Sequence, residues 1–174
     1  MTAVLYPQWM LDIVAPGTVY VSEAAIMTKA IALTLSGLER RQGGPFGAIV
    51  ATASGEIIAM AHNEVRQTLD VSAHAEVVAL RRATQALGTV GLGKDGGRFL
   101  QLFTTCEPCL MCAGAIYWAG LPVVVAAARK TDAVAAGIRQ EFVLDTTAFL
   151  AQAQITYRAD FLRAEALEIF RAYR

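Results

Sequence analysis

The 174-residue chain carries 15 basic and 15 acidic side chains, has a net charge of zero and is 55% hydrophobic. Neutrality and only three lysines (Lys29, Lys94 and Lys130) argue against a nucleic-acid partner, because such binders carry a basic stripe. No uninterrupted apolar run reaches the roughly 18 residues of a membrane span, so the apolar surplus belongs to the core of one domain or to a buried subunit interface.

In chain order, residues 1–20 read as an irregular N-terminal arm with Pro7, Pro16 and Gly17. The arm lacks the basic start and cleavage-like tail of a signal peptide, and Asp12 interrupts its apolar run, which points to the cytoplasm. Residues 21–174 read as a single domain. Ser22 can cap a helix over 23–41, ended by Gly43-Gly44. Gly47–Ala53 and Glu56–Ala61 form a predicted hairpin around Ser54-Gly55. Residues 64–73 are polar and loop-like. A helix is expected from 74 to 87, stopped by Gly88, and the glycine-rich stretch 88–97 is a loop. Phe99–Thr104 is a strand. Pro108 suits the first turn of a helix running to Trp118. Val123–Ala128 is a β-branched, buried strand. Ala153–Tyr157 reads as a last strand and 160–173 as a closing helix. Strands separated by helices imply parallel crossovers, so the fold class is a three-layer α/β/α sandwich.

Two motifs within this order carry chemistry: His74-Ala75-Glu76, and Pro108-Cys109-Leu110-Met111-Cys112. Cys109 and Cys112 are three residues apart, which puts both sulfurs on one face at a helix start, where the exposed N–H groups and the helix dipole favour thiolates. A lone Cys-x-x-Cys also fits a redox dithiol, but no thioredoxin-like βαβ unit precedes this one. His74 completes a set of three metal ligands, and three ligands leave a tetrahedral zinc with a fourth position for water. Glu76 is the spare carboxylate that can move that water's protons. His74 and Glu76 lie two apart, on nearly opposite faces of a regular helix. They serve one site only if both helix starts aim at the same ion. The combination His-x-Glu with Pro-Cys-x-x-Cys is the signature of zinc nucleobase deaminases. The odd cysteine Cys106 reads as a packed thiol and His62 as structural. The clustered cysteines suit metal binding better than a disulfide framework.

With Gly43-Gly44-Pro45-Phe46-Gly47-Ala48 and with Asn63, eleven residues before His74, these motifs resemble the cytidine deaminase-like superfamily. The branch is that of bacterial guanine deaminases and tRNA adenosine deaminases, and the resemblance covers roughly residues 22–173. It implies a central five-stranded mixed sheet, Zn2+ held between two helix starts, and a homodimer. It assigns Asn63, Phe46, Ala75 and Trp118 to substrate binding, where the plain alternatives are a turn Asn, a core Phe and an interface Trp. The runs Thr104–Cys109, Ala115–Ala119 and Ala127–Ala133 look closer to guanine deaminases than to the tRNA enzymes. Two departures stand out. Counting places Gln140 where guanine deaminases carry a second acid, which leaves Glu141 as a possible second shuttle through a one-residue shift. The chain also ends at Arg174, several residues short of the tail those enzymes extend toward a substrate pocket.

The leading expectation is therefore zinc-dependent hydrolytic deamination of a small heterocyclic base, guanine first, with release of ammonia. The alternatives are a tRNA-specific adenosine deaminase, a cytosine or nucleoside deaminase, and a non-catalytic zinc-binding subunit. The last would typically have lost the carboxylate that Glu76 supplies.

Overall fold

The computed structural model describes residues 4–93, 99–138 and 145–173. In chain order they form α1 (Gln8–Leu11), α2 (Glu23–Glu39), β1 (Gly47–Thr52), β2 (Ile57–His62), α3 (Val65–Thr68), α4 (Ala75–Leu87) and β3 (Leu100–Cys106). Then come α5 (Leu110–Trp118), β4 (Val123–Ala128), α6 (Lys130–Ala135), α7 (Thr146–Gln152), β5 (Thr156–Arg158) and α8 (Arg163–Ala172). The five strands make one sheet in the order β2-β1-β3-β4-β5. β1 runs antiparallel to both of its neighbours, while β3, β4 and β5 are mutually parallel. This is the expected mixed sheet. Among the described residues, no helix is long and apolar enough to cross a membrane.

β1 to β4 are buried along their whole lengths. They read as continuous apolar runs because helices cover both faces of the sheet. The period-2 alternation of strand side chains then sorts them. Ile49, Ala51, Phe103 and Val125 join Met10, Met27, Leu33, Ile169 and Phe170 under α1, α2 and α8. Ala48, Val50, Leu102 and Val124 join Val78, Leu80, Ile116 and Leu150 under α4, α5 and α7. The layer of α2 lies close against β1. A Cβ at Gly47 would come 2.1 Å from Thr34 Oγ1, so glycine is required there.

Several boundaries differ from expectation. The arm contains α1 and packs against the core through fully buried Met10 and nearly buried Val14. Thr18 O accepts from Ile57 N at 2.9 Å, and Gly17 N donates to Ile57 O at 2.8 Å, so the arm shields the outer edge of β2. The polar stretch after β2 holds the one-turn α3. The last strand begins later than predicted, at Thr156. α7 runs to Gln152, and Gln154 turns the chain with φ of 57°.

β2 and β3 both run antiparallel to β1, and hence parallel to each other. The helices that follow them, α4 and α5, therefore start at the same end of the sheet. Ligands of open α/β sheets gather beyond the carboxyl ends of the strands.

Candidate metal centre

His74 is the cap residue of α4 and Cys109 that of α5, with extended ψ angles of 152° and 172°. Neither side chain caps its own helix, so both are available to a shared site. Cys112 follows in the first turn of α5 and is fully buried. Cys109 Sγ lies 3.5 Å from His74 Nδ1 and 3.5 Å from Cys112 Sγ, and Cys112 Sγ lies 3.6 Å from His74 Nδ1. The geometric condition read from the sequence is met, since the two helix starts converge on one point.

The donor set fits zinc. With Zn–S near 2.3 Å and Zn–N near 2.0–2.1 Å, tetrahedral geometry separates the donors by about 3.6–3.8 Å. Cys109 is held down to about 3, first by its hydrogen bond with Cys112 and then by His74. Cys112 is pushed up, first by the same hydrogen bond, then by burial and by the nearby Glu76 carboxylate. Metal binding requires both sulfurs as thiolates and so releases protons.

Glu76, in the first turn of α4, is only 6% exposed. It lines a cavity of about 180 Å³ together with His74, Phe46, Asn63 and Glu107. A carboxylate at a helix N-terminus is stabilised by the dipole, which offsets part of its burial cost. Asn63 follows the end of β2, and its N–H donates to Phe46 O at 2.9 Å, which joins two walls of the cavity. The Phe46 ring meets Phe170 of α8 edge-on at 6.1 Å. The cavity is smaller than the pockets that hold drug-sized ligands.

Of the residues singled out in the sequence, His74, Glu76, Asn63 and Phe46 line this cavity, with Cys109 and Cys112 beside His74. Ala75 is fully buried at the start of α4 and packs into the core. Trp118 is not brought to the cavity of its own chain. It is 84% exposed at the end of α5, edge-on to Tyr117 at 5.4 Å. Glu141 and Gln140 lie outside the described residues. Cys106 is buried, with its Sγ 3.6 Å from Arg129 O, and stands apart from the three-ligand group.

Glu107 was not anticipated. It follows the end of β3 and lines the cavity. Thr146 Oγ1 donates to its Oε1 at 3.1 Å, and the Lys130 N–H donates to its Oε2 at 3.3 Å. Lys130 Nζ lies 3.5 Å from Oε1. The available signal was a carboxylate at the carboxyl end of a parallel strand, directly before the Pro-Cys pair.

Residues 21–128 match the family described as the cytidine and deoxycytidylate deaminase zinc-binding region. The chain is 43% identical over 117 residues to guanine deaminase from Bacillus subtilis, covering 67% of this chain and 71% of that protein. It is 37% identical over 115 residues to a tRNA-specific adenosine deaminase from Agrobacterium fabrum, covering 62% of this chain and 71% of that one. The fold superposes on a guanine deaminase from Nitrosomonas europaea with a TM-score of 0.88 and 31% identity, over 99% of this chain and 96% of that one. The converging helix starts are thus those of a zinc-binding deaminase, and the chain belongs to the cytidine and deoxycytidylate deaminase family.

Proposed function

We propose that the protein is a zinc-dependent hydrolytic deaminase of a free aminated purine base, with guanine as the first substrate. The observation that carries this reading is the position of Glu76. It is a buried carboxylate in one small cavity with the ligand His74, next to Cys112, with Asn63 and Phe46 on the walls.

Zinc held by His74, Cys109 and Cys112 would supply water activated for attack at neutral pH. Glu76 accepts a proton from the attacking water and returns it to the departing amino nitrogen. One water is consumed, a C–O bond forms, the C–N bond breaks and ammonia leaves. The Asn63 carboxamide offers both a donor and an acceptor, which suits the edge of a heterocyclic base. Phe46 supplies an apolar surface against the ring. Ala75, between ligand and shuttle, is assigned to substrate binding through its main chain, since its side chain packs into the core. Glu141 remains the candidate for a second proton shuttle.

The domain spans 21–174, with residues 1–20 as an arm, and the protein works as a cytoplasmic homodimer. The dimer is supported by α5, which exposes Leu110, Met111, Tyr117 and Trp118 while its other side is buried. Such a contiguous apolar face marks an interaction surface. Trp118 therefore acts from the subunit boundary. A single monomer boundary in sedimentation at assay concentration would remove the dimer. The cytoplasmic assignment follows from the three free cysteines, two of them committed as ligands.

The decisive experiment is ammonia release by zinc-loaded protein across guanine, other free bases, nucleosides and aminated heterocycles. Guanine is expected to react. Release from another free base alone would keep the chemistry and replace the substrate. No release from any base, together with inosine formation in tRNA, would overturn the free-base reading.

A further inference from the structure

We propose that His62 is a positioning residue for the base-holding side chain: its ring nitrogen Nδ1 fixes the main chain of Asn63, and the N-terminal arm holds the ring in place through Trp9. The inference rests on the role given above to Asn63.

His62 ends β2 and is 3% exposed, directly before Asn63 in the chain. Its Nδ1 lies 2.9 Å from Asn63 O. A carbonyl can only accept, so Nδ1 carries the proton. Burial holds the ring's pKa below that of an ordinary imidazole, which favours the neutral form with that proton in place. The bond spans a single residue step, and it sets the peptide orientation from which the Asn63 side chain departs.

The surroundings leave that peptide little freedom. A Cβ at Gly43 would fall 1.9 Å from Asn63 O and 2.6 Å from His62 Nδ1, and Gly43 has a φ of +79°. The glycine turn is therefore closed down onto this hydrogen bond. Asn63 N is tied to Phe46 O at 2.9 Å, and the next residue's N–H is tied to Ala73 O at 2.9 Å, one residue before the ligand His74. The peptide groups on both sides of the Asn63 Cα are thus fixed. The chain is anchored at one end to the cavity wall and at the other to the metal-ligand segment. His62 secures the carbonyl between these anchors.

The ring itself is clamped from outside the β2–Asn63 segment. The Trp9 ring of α1 lies 5.3 Å from the His62 ring, and the Arg40 guanidinium lies 5.3 Å from the Trp9 ring. Gly37 of α2 is close enough that a Cβ there would sit 3.7 Å from His62 Cγ. Trp9 belongs to the arm, which precedes the region of the family match at 21–128. The arm thereby contributes to substrate positioning through His62, with none of its described residues lining the cavity.

Two substitutions separate positioning from general support. His62→Phe keeps a ring against Trp9 and removes the donor. His62→Asn loses the ring, but its Nδ2 stands at the δ position and can donate to the same carbonyl. Both variants lose thermal stability, the first by removing the donor to the part-buried Asn63 carbonyl and the second by losing packing. A purely structural His62 would make activity follow stability in both. We expect His62→Phe to raise KM for guanine, or for whichever free base of the panel releases ammonia, by about tenfold with kcat within twofold. His62→Asn stays near wild type in KM, and zinc content is unchanged in both.

The closing experiment is the double-mutant cycle with Asn63→Ala, read in KM and in direct binding of the base to the zinc-loaded protein. If His62 acts through Asn63, His62→Phe has no further effect once Asn63→Ala is present. Additive losses, or equal KM changes in His62→Phe and His62→Asn, would overturn the inference. An Asn63→Ala protein with unaltered binding would instead overturn the role of Asn63, and a wild type inert on every base would overturn the proposed function.

Discussion

The two sides of the cavity are built on different principles. The metal side takes its three ligands from two helix starts. Each ligand is placed by its own helix, with His74 at the cap position of α4, Cys109 at that of α5 and Cys112 three residues further on, their side chains left out of the capping bonds. The base side takes Phe46, Asn63 and Glu107 from the ends of three different strands, and each depends on distant partners. Phe46 leans on Phe170, Asn63 on Phe46 and Gly43 from another part of the chain as well as on its neighbour His62, and Glu107 on Lys130 and Thr146. Local geometry fixes the first side and long-range packing the second. Damage to the metal side should therefore be all-or-none, and damage to the base side graded.

The hardest test of that contrast removes a ligand. Cys112→Ser replaces a soft thiolate in a buried position with a hydroxyl that is a poor zinc donor. The purified protein should hold less than about a tenth of its zinc by atomic absorption, and ammonia release should fall by roughly 10³-fold or more. Stoichiometric zinc with near-normal turnover would mean that the centre tolerates two ligands, which breaks the all-or-none claim.

Glu76→Gln comes next. It preserves the shape of the side chain while removing the base, so zinc should stay and kcat should fall by about 10²–10⁴-fold with little change in KM. Measuring zinc and kcat on the same preparation separates it from Cys112→Ser. Retained turnover would overturn the proton-shuttle role and leave the spare carboxylate with a structural task only.

The same division explains what could be read from the sequence. His74, Glu76, Cys109 and Cys112 were legible because their spacing and the helix-start signals around them already define the geometry. β1 to β4 were legible as apolar runs, and their boundaries shifted by only a few residues. The last strand was placed too early, since Gln154 reverses the chain in a left-handed conformation that no glycine announced. Trp118 was legible as an aromatic with either a cavity or an interface position, but its 84% exposure was not, because that depends on how α5 packs against α4 and α7. Glu107 was passed over for a related reason. A carboxylate beside Pro108 and Cys109 looks like an ordinary helix-start charge. What makes it part of the cavity is Lys130 and Thr146, 23 and 39 residues away.

Glu107 also supplies the mildest test, on the base side. Its carboxylate accepts on both oxygens, from the Lys130 N–H and from the Thr146 hydroxyl, and Thr146 Oγ1 in turn accepts from Lys130 Nζ at 3.1 Å. Thr146 is buried and the Glu107 and Lys130 side chains are each 14% exposed, so the partners cannot turn freely to water. In Glu107→Gln the new amide NH₂ must face one of two places. Toward the Lys130 N–H it opposes a donor, and toward Thr146 it meets a hydroxyl already oriented by an ammonium group. Either way one bond is lost, at a cost of about 1–2 kcal/mol. A domain of this size should lose roughly 2–8 °C in Tm. Zinc content should be unchanged and kcat/KM should fall by only a few-fold, because the cavity wall relaxes while the metal side stays intact. A loss as deep as that of Glu76→Gln would show Glu107 taking part in the proton transfers, and the base side would then carry chemistry as well as shape.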